Sequence, residues 1–584
     1  MKKVLFFSIF FTLIFTSIFA LENKPKIKVI GCTGELSELF IANQEKIPIK
    51  LIEIDTKNYR KWTVNGIRIL TSRYRYVEDK YKKRFDATVS ITYGNNTKCT
   101  FNARIRHSGD EKDHISLLGN SITQSLDIHL SNGNIRGITK FKLLRPKVRG
   151  ILEDEVFLTE ILRNIDYIAP RTIKVTARVN RIKSTMLFQE KAAKEMLEFN
   201  NRREGPIFEG DERFFFNKVD KLEDNQISGW SIGVVDLMNN NAKYILAKQV
   251  NSNLVNKSQG HKQMSLDSTS KLNLIYLYFA SRFQDKLNNF NYMEYDFDNN
   301  LLALSDQKNT LRLDEYNLLI QAVNGHHGLA VNNRKFFWNS IENYFEPINY
   351  DSNANISLNV ASGAVRLPIS NQFFEAFESL KEKIRKLEHE YLQTNLRLSG
   401  LDINKDKIKI KINQIIKNIN QLEKNYINLD KKLVEHNKFE VKEDILDNYK
   451  NNLEKSKLDI ILVNFNSKNN KFKKCLNFLE NCQFIKIDND NLSDLLEGNL
   501  YVNKKPYQYL GKYFNFDNFF NNNFNNSKSV GNTKIFYDDG IEIDYDEINN
   551  RIDILQKIPG AKVNFLKGEL NNLEIFFKGI EIEK

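Results

Sequence analysis

At 584 residues, with 41% hydrophobic and 27% charged side chains, the chain has the composition of an ordinary globular protein, long enough for two to four domains. Its formal charge of +13 suits an acidic substrate, a nucleotide or an anionic envelope polymer. It has no Arg/Lys stripe interleaved with aromatic residues and no zinc-finger or helix-turn-helix pattern, so no nucleic-acid partner is expected.

Lys2 and Lys3 precede an apolar run from Val4 to Phe15, followed by small residues up to Ala20. This reads as a signal peptide over 1–20, or as an uncleaved anchor that would tether the protein to a membrane. Either way the expected location is exported: periplasm, cell envelope or extracellular. Four cysteines in an exported chain allow two disulfides, Cys32 with Cys99 and Cys475 with Cys482, or four unpaired thiols.

Residues 21–100 read as β-rich, with short strands at Ile49–Ile54, Val64–Ile67 and Ala87–Ile91 and a turn at Tyr93–Asn96. Cys99–Arg106 alternates as a strand with Arg104 and Arg106 on one face. It runs into the glycine-containing turn His107–His114, which either approaches phosphates through backbone N–H groups or is only a turn. Strands follow at Ser125–Leu130 and Phe141–Arg145, and helical spacing covers Asp154–Ile165. Thr172–Val179 is a strand, and Met186–Lys191 a second one leading into a helix from Ala192. At its end Glu190 either partners a phosphate-contacting lysine or caps that helix. Asn200–Glu212 is a polar loop, substrate-facing through Arg202, Arg203 and Glu204 or simply solvated. Helices are expected at Asp236–Val255 and Leu272–Phe283.

The densest chemistry lies between Asn324 and Asp351. His326 and His327, the pair Asn332 and Asn333, an aromatic strand, a turn and a second strand end in the carboxylate of Asp351. A kinase active site has this order, a base and a metal-binding amide on one loop and a metal-binding aspartate after the next strands. A β-hairpin with ordinary turn chemistry has it too.

The succession ARIRHSGD, SLDIHL, KFKLLRPKVR, EVFLTEILRNIDYIAPRTIKVTARVN, MLFQEK, NNRKFFW and FEPINYD resembles the spore coat protein H (CotH) family of atypical secreted kinase-like proteins. The likeness covers about Phe101 to Asp351 and rests on the order and spacing of the segments. It implies a bilobal fold that binds ATP and Mg²⁺ and transfers phosphate to protein hydroxyls. Carried over by position, Asp351 takes the metal-binding and catalytic aspartate, with Asn332 or Asn333 as its metal-side amide. Asn333 and Glu190 fall on the nucleotide side, and Arg106 on the phosphate-side turn. Two departures stand out. The family's catalytic aspartate falls on His327 or Gly328, and the second aspartate of its D-x-D falls on Asn353. A neutral His327 would accept a hydroxyl proton, so activity is expected to fall below about pH 6.5. No lysine aligns with the nucleotide-side position, although Lys142 is nearby in sequence.

Beyond this, Phe373, Phe377, Leu380, Ile384, Leu387 and Tyr391 form one apolar seam, and Ile408 to Leu429 a second. They read as a helical hairpin, an oligomerising coiled coil, or helices packed on the core. From Ile460 onward strands recur at about ten-residue spacing, as in a sandwich or solenoid. The expected fold class is therefore α+β: a β-rich region 21–100, a bilobal atypical kinase-like domain 101–370, a helical hairpin or coiled coil 371–435 and a C-terminal β-rich module 436–584. The expected function is a CotH-like kinase transferring phosphate from Mg-ATP to protein hydroxyls in the envelope, or a catalytically degenerate relative that binds a partner protein or surface polysaccharide.

Overall fold

Alternating apolar strands near the N-terminus close on themselves, and the register of that closure decides which side chains meet. The computed structural model describes residues 31–33, 44–72, 77–118, 121–180, 182–211, 245–283, 293–429, 461–466, 471–477, 480–502, 505–512, 542–546, 551–555, 561–562 and 581–582. The N-terminal apolar segment lies outside them. Among the described residues no helix is long and apolar enough to cross a membrane.

The fold is mixed α+β. Its first half contains β1 (Gly31–Thr33), β2 (Ile49–Thr56), α1 (Tyr59–Thr71), β3 (Phe85–Tyr93), β4 (Lys98–His107), β5 (Ile115–Leu118), β6 (Ser121–Gln124), β7 (Leu126–Leu130), β8 (Lys140–Leu144), α2 (Leu152–Asn164), β9 (Thr172–Val179), β10 (Ile182–Glu190) and α3 (Lys194–Phe199). The sheet order is β1-β4-β3-β2-β9-β10-β8-β7, and β4 also pairs with β7, so seven strands form a closed barrel. Each of these seven strands then has a neighbour on both sides, which removes the exposed edges of an open sheet. Ile52, Ile54, Val89, Ile91, Ile105, Ile128, Phe141 and Phe188 fill the interior, with Phe141 and Phe188 stacked at 4.4 Å. Cys32 and Cys99 are joined in a disulfide that ties β1 to β4.

Two expectations change here. The boundary at residue 100 falls inside β4, because the strands before and after it are staves of one barrel. Val64–Ile67, expected as a strand, belongs to α1. There Trp62, Asn65, Gly66 and Ile69 are buried at helical spacing, and the Asn58 side chain caps the helix by accepting from the Lys61 N–H.

The second half contains β11 (Ile207–Gly210), β12 (Ala247–Gln249), α4 (Gln259–Phe283), β13 (Met293–Tyr295), α5 (Asn299–Leu302), α6 (Gln307–Ala322), β14 (Lys335–Asn339), β15 (Tyr344–Ile348), β16 (Val365–Leu367), α7 (Phe373–Arg385), α8 (His389–Leu398) and α9 (Lys405–Ile427). The helix expected over Asp236–Val255 gives way, in its described part, to β12 and a short 3-10 turn at Ser252–Asn256. β12, β11, β14 and β15 form a four-stranded sheet. The seams read as a hairpin or coiled coil are spent inside the chain's own core. Phe377, Leu380, Ile384, Leu392, Leu396, Ile408, Ile415 and Ile419 share one apolar cluster with Val156 and Phe157 of α2 and Leu319 of α6. Leu144 and Leu187, on the outer face of the barrel, join the same cluster, so a continuous core fastens the barrel to the helical half.

Further on come β17 (Ile461–Asn466), β18 (Lys471–Asn477), β19 (Glu480–Ile485), α10 (Asn489–Glu497), β20 (Tyr501–Val502) and β21 (Lys505–Lys512). They form a five-stranded sheet of order β19-β18-β17-β21-β20, with β17 and β21 parallel. It docks on α4, where the Asn273 amide donates to the backbone oxygens of Tyr509 and Leu510 at 2.9 and 3.2 Å. Cys475 and Cys482 stand directly opposite each other across β18 and β19.

A cationic candidate site between the barrel and the helical half

The cross-strand register sets one row of side chains on the outer face of the barrel. Arg106 of β4 lies opposite Asp127 of β7, Asp127 opposite Lys142 of β8, and Lys142 opposite Gln189 of β10. Their sequence neighbours Ile105, Ile128, Phe141 and Phe188 point inward, so pleating turns the polar row outward, toward the helical half. The next inward row is Ile105, Ile128, Phe141 and Glu190.

Asp127 is the only carboxylate in the polar row and is almost fully buried. It accepts from Lys191 at 3.0 Å, Arg84 at 3.0 Å and Arg106 at 3.3 Å, and lies 3.2 Å from the His129 ring. Burial opposes its charge, but these four partners outweigh it and hold the carboxyl well below the usual range. Lys191 is pushed down to about 8 by burial, and by Lys142 acting against the pull of Asp127.

The helical half supplies the facing wall. β14 and β15 are the hairpin read in the sequence, Lys335 to Ile348 in register. The end of β15 is pinned beside the barrel: Ile348 forms a parallel bridge with Ile168, and the Asn349 N–H donates to the Ile168 oxygen at 2.9 Å. Tyr350 and Asp351 therefore come to rest against Lys142. The ring of Tyr350 has Lys335 Nζ at 4.4 Å, Lys142 Nζ at 5.1 Å and the Arg149 guanidinium carbon at 5.8 Å, all within cation–π range. Lys335 pairs with Glu209, yet burial and the neighbouring Lys142 and Lys191 drive its ammonium well below its ordinary value.

Asp351 turns the chain with a φ of +57°, a region that a non-glycine residue adopts only under local constraint. Its carboxylate forms an ion pair with Arg149, a residue only 4% exposed on the loop after β8. His327, on the 3-10 turn His326–Leu329, lies with Nδ1 2.9 Å from the Asp351 main-chain oxygen and 3.4 Å from its carboxylate. The Asn333 amide is 3.1 Å from His327 Nε2. Burial would raise the Asp351 carboxyl, but Arg149 and His327 overcome it and depress it strongly.

No protein-family model matches this chain, and no curated protein matches it.

His327, Asn333 and Asp351 come together on one wall, and Arg106 stands on the other, in the strand row whose Lys142 meets Tyr350; Glu190 joins neither. It faces the inward row, where Arg171 clamps it through Nε at 2.9 Å and Nη2 at 2.6 Å. It does not cap α3 either, whose N-cap is Ala193. Arg202 is also structural: its guanidinium holds Glu346 at 2.6 Å and Asp166 at 3.0 Å rather than facing a substrate.

The role read for His327 as a neutral base changes as well. Hydrogen bonding to Asp351, working against burial, raises the ring to about 9, so it is an imidazolium at neutral pH. Because the folded value lies above the ordinary 6.5, the bond's contribution is fully present below about pH 6.5 and is lost as pH rises through about 9. A proton NMR titration, with the ring assigned through His327→Gln, should show a midpoint near 9 that falls toward 6.5 in Asp351→Asn. A wild-type midpoint at or below 6.5 would contradict this geometry.

Asp351, Asn332 and Asn333 do not fit a protein-built Mg²⁺ site. They offer one carboxylate, a guanidinium already sits on it, and Asn333 is engaged with His327. A hard divalent cation prefers several free oxygen ligands. Among the described residues no group of three or more His, Cys, Asp or Glu side chains gathers to hold a metal. The charge suits a phosphate chain, because Arg84, Arg106, Lys142, Arg149, Lys191 and Lys335 gather around Asp127, Asp351 and Glu209, with Glu155 beside Arg149 and Asp110 within electrostatic reach of Lys142. Gln189, wholly buried in the same row, has neither amide nitrogen nor oxygen hydrogen-bonded among the described residues.

In the sequence Lys142 stands out only as near the nucleotide-side position, and Lys191, Lys335, Arg149 and Asp127 are not singled out. The alternation of Phe141-Lys142-Leu143 and of Leu126-Asp127-Ile128 was the available signal, since each places one polar residue opposite the core. Which strands lie beside one another was not in it.

Proposed function

We propose that the chain is a kinase-like protein of bilobal organisation, the barrel serving as its nucleotide-side lobe, whose cleft binds the phosphate chain of ATP. The observation that carries this reading is the excess of cations where the Arg106–Asp127–Lys142–Gln189 row, its Arg106 and Lys142 partly buried, faces the buried Lys335 and Arg149. In a water-poor cleft such an excess is stabilised by an anion of several charges. Lys142 and Lys191 would hold phosphate oxygens, and Arg106 the open end of the chain.

Of the two expected readings, kinase and catalytically degenerate relative, the second is favoured. A general base must be unprotonated to take a hydroxyl proton, and His327 is held protonated by Asp351. Its charge adds to phosphate binding instead. The Cys32–Cys99 disulfide is in keeping with an exported setting, in which a partner protein or surface polysaccharide would be the second ligand.

Thermal unfolding tests the proposal. Millimolar ATP should raise the melting temperature of the full chain while adenosine leaves it unchanged, since stabilisation follows occupancy of the folded state. Equal shifts with both, or none with either, would contradict it.

A further inference from the structure

Resting on that reading, we infer that Arg149 takes the place of the divalent cation, so that the cleft accepts the nucleoside triphosphate as its metal-free anion. The ion pair is built into the backbone on both sides. Gly150, next to Arg149, has a φ of +47°, and a Cβ added there would lie 2.9 Å from the main-chain oxygen of Asn353. Asp351 and Asn353 both have positive φ, at +57° and +55°. These two turns press together and set the guanidinium on the carboxylate, so a metal would have to displace Arg149 to reach it.

Charge argues the same way. A cation entering near Asp351 would meet Arg149, Lys142 and His327, whose charges exceed that of the one carboxylate they surround. Glu155 does not reverse this. It is buried beside Arg149 and Asp351, and burial, only partly offset by Arg149, holds its carboxyl up at about 7, so near neutrality it carries only part of a charge. A fully charged triphosphate matches this wall better than one half neutralised by Mg²⁺.

Equilibrium dialysis of ATP against the full chain, in EDTA and in excess Mg²⁺, is the test. The inference predicts binding at least about tenfold tighter in EDTA, the direction Coulomb attraction gives for the more highly charged ligand. Tighter binding with Mg²⁺, or binding only with it, overturns the inference and leaves the nucleotide cleft standing. Absence of saturable binding in both buffers overturns the cleft itself. Arg149→Gln supplies an independent arm: with Asp351 released, its ATP binding should become stronger in Mg²⁺ than in EDTA. A variant that folds and keeps the wild-type preference for EDTA would also contradict the role of Arg149.

Discussion

Replacing Lys142 with alanine is expected to weaken ATP binding by at least about thirtyfold, the low end of the 2–5 kcal/mol that truncating one partner of a close charge pair costs. Lys142 is the centre of the cleft. It lies between Asp127 and Gln189 in the row, faces Tyr350 across the gap, and its charge acts on Lys191, Lys335, Asp351 and His114. Its removal takes a positive charge from the point where both walls converge. The barrel should survive, because the interior partners on β8 are Phe141 and Leu143. Lys61→Ala, on the exposed face of α1, serves as the control and should bind as the wild type does. Direct titration of both variants decides the matter; equal affinity for Lys142→Ala and wild type would remove Lys142 from the site.

Asp127→Asn is expected to be the most damaging single change in the cleft. The amide keeps the shape of the side chain but loses the charge that Arg84, Arg106 and Lys191 share. Breaking a buried ion pair from one side costs about 3–5 kcal/mol, because the orphaned charges stay out of water. The variant should therefore melt far below the wild type in calorimetry, while Asp86→Asn, whose carboxylate is 67% exposed, should melt close to it. Sign matters for a second reading of the same variant. With the carboxylate gone, the cations have more need of an anion, so inorganic phosphate should stabilise Asp127→Asn more than it stabilises the wild type. A variant as stable as the wild type would mean that Asp127 does not balance these cations.

Local pattern carried far in this chain, and long-range register is where it stopped. Helical spacing placed α2 within two residues at its start, and the run from Lys335 to Ile348 was legible as a hairpin because aromatic and β-branched residues flank a polar turn. The seams of α7 and α9 were legible too. Their partner was not, since an apolar stripe looks the same against a second chain as against α2 and α6. Glu190 shows the limit most sharply. Its place at the end of an apolar strand suits a nucleotide site, but the parity of the strand turns it inward to Arg171, while Gln189 and Lys191 face the cleft. A shift of one residue exchanges the two faces of a strand, and nothing local to Met186–Lys191 fixes that parity. Arg149 escaped for another reason: a loop arginine beside a glycine gives no periodic signal, and its meaning comes from Asp351, 202 residues later in the chain.

The central claim is that one cluster of lysines, drawn from both walls, holds the phosphate chain. Competitive labelling with an amine-directed reagent, read by mass spectrometry with and without ATP, addresses those lysines one by one. ATP should protect Lys142, Lys191 and Lys335 together and saturably, while the exposed Lys61 labels at the same rate throughout. Protection of Lys61 alone, or unchanged labelling of all three cleft lysines at saturating nucleotide, would contradict the claim.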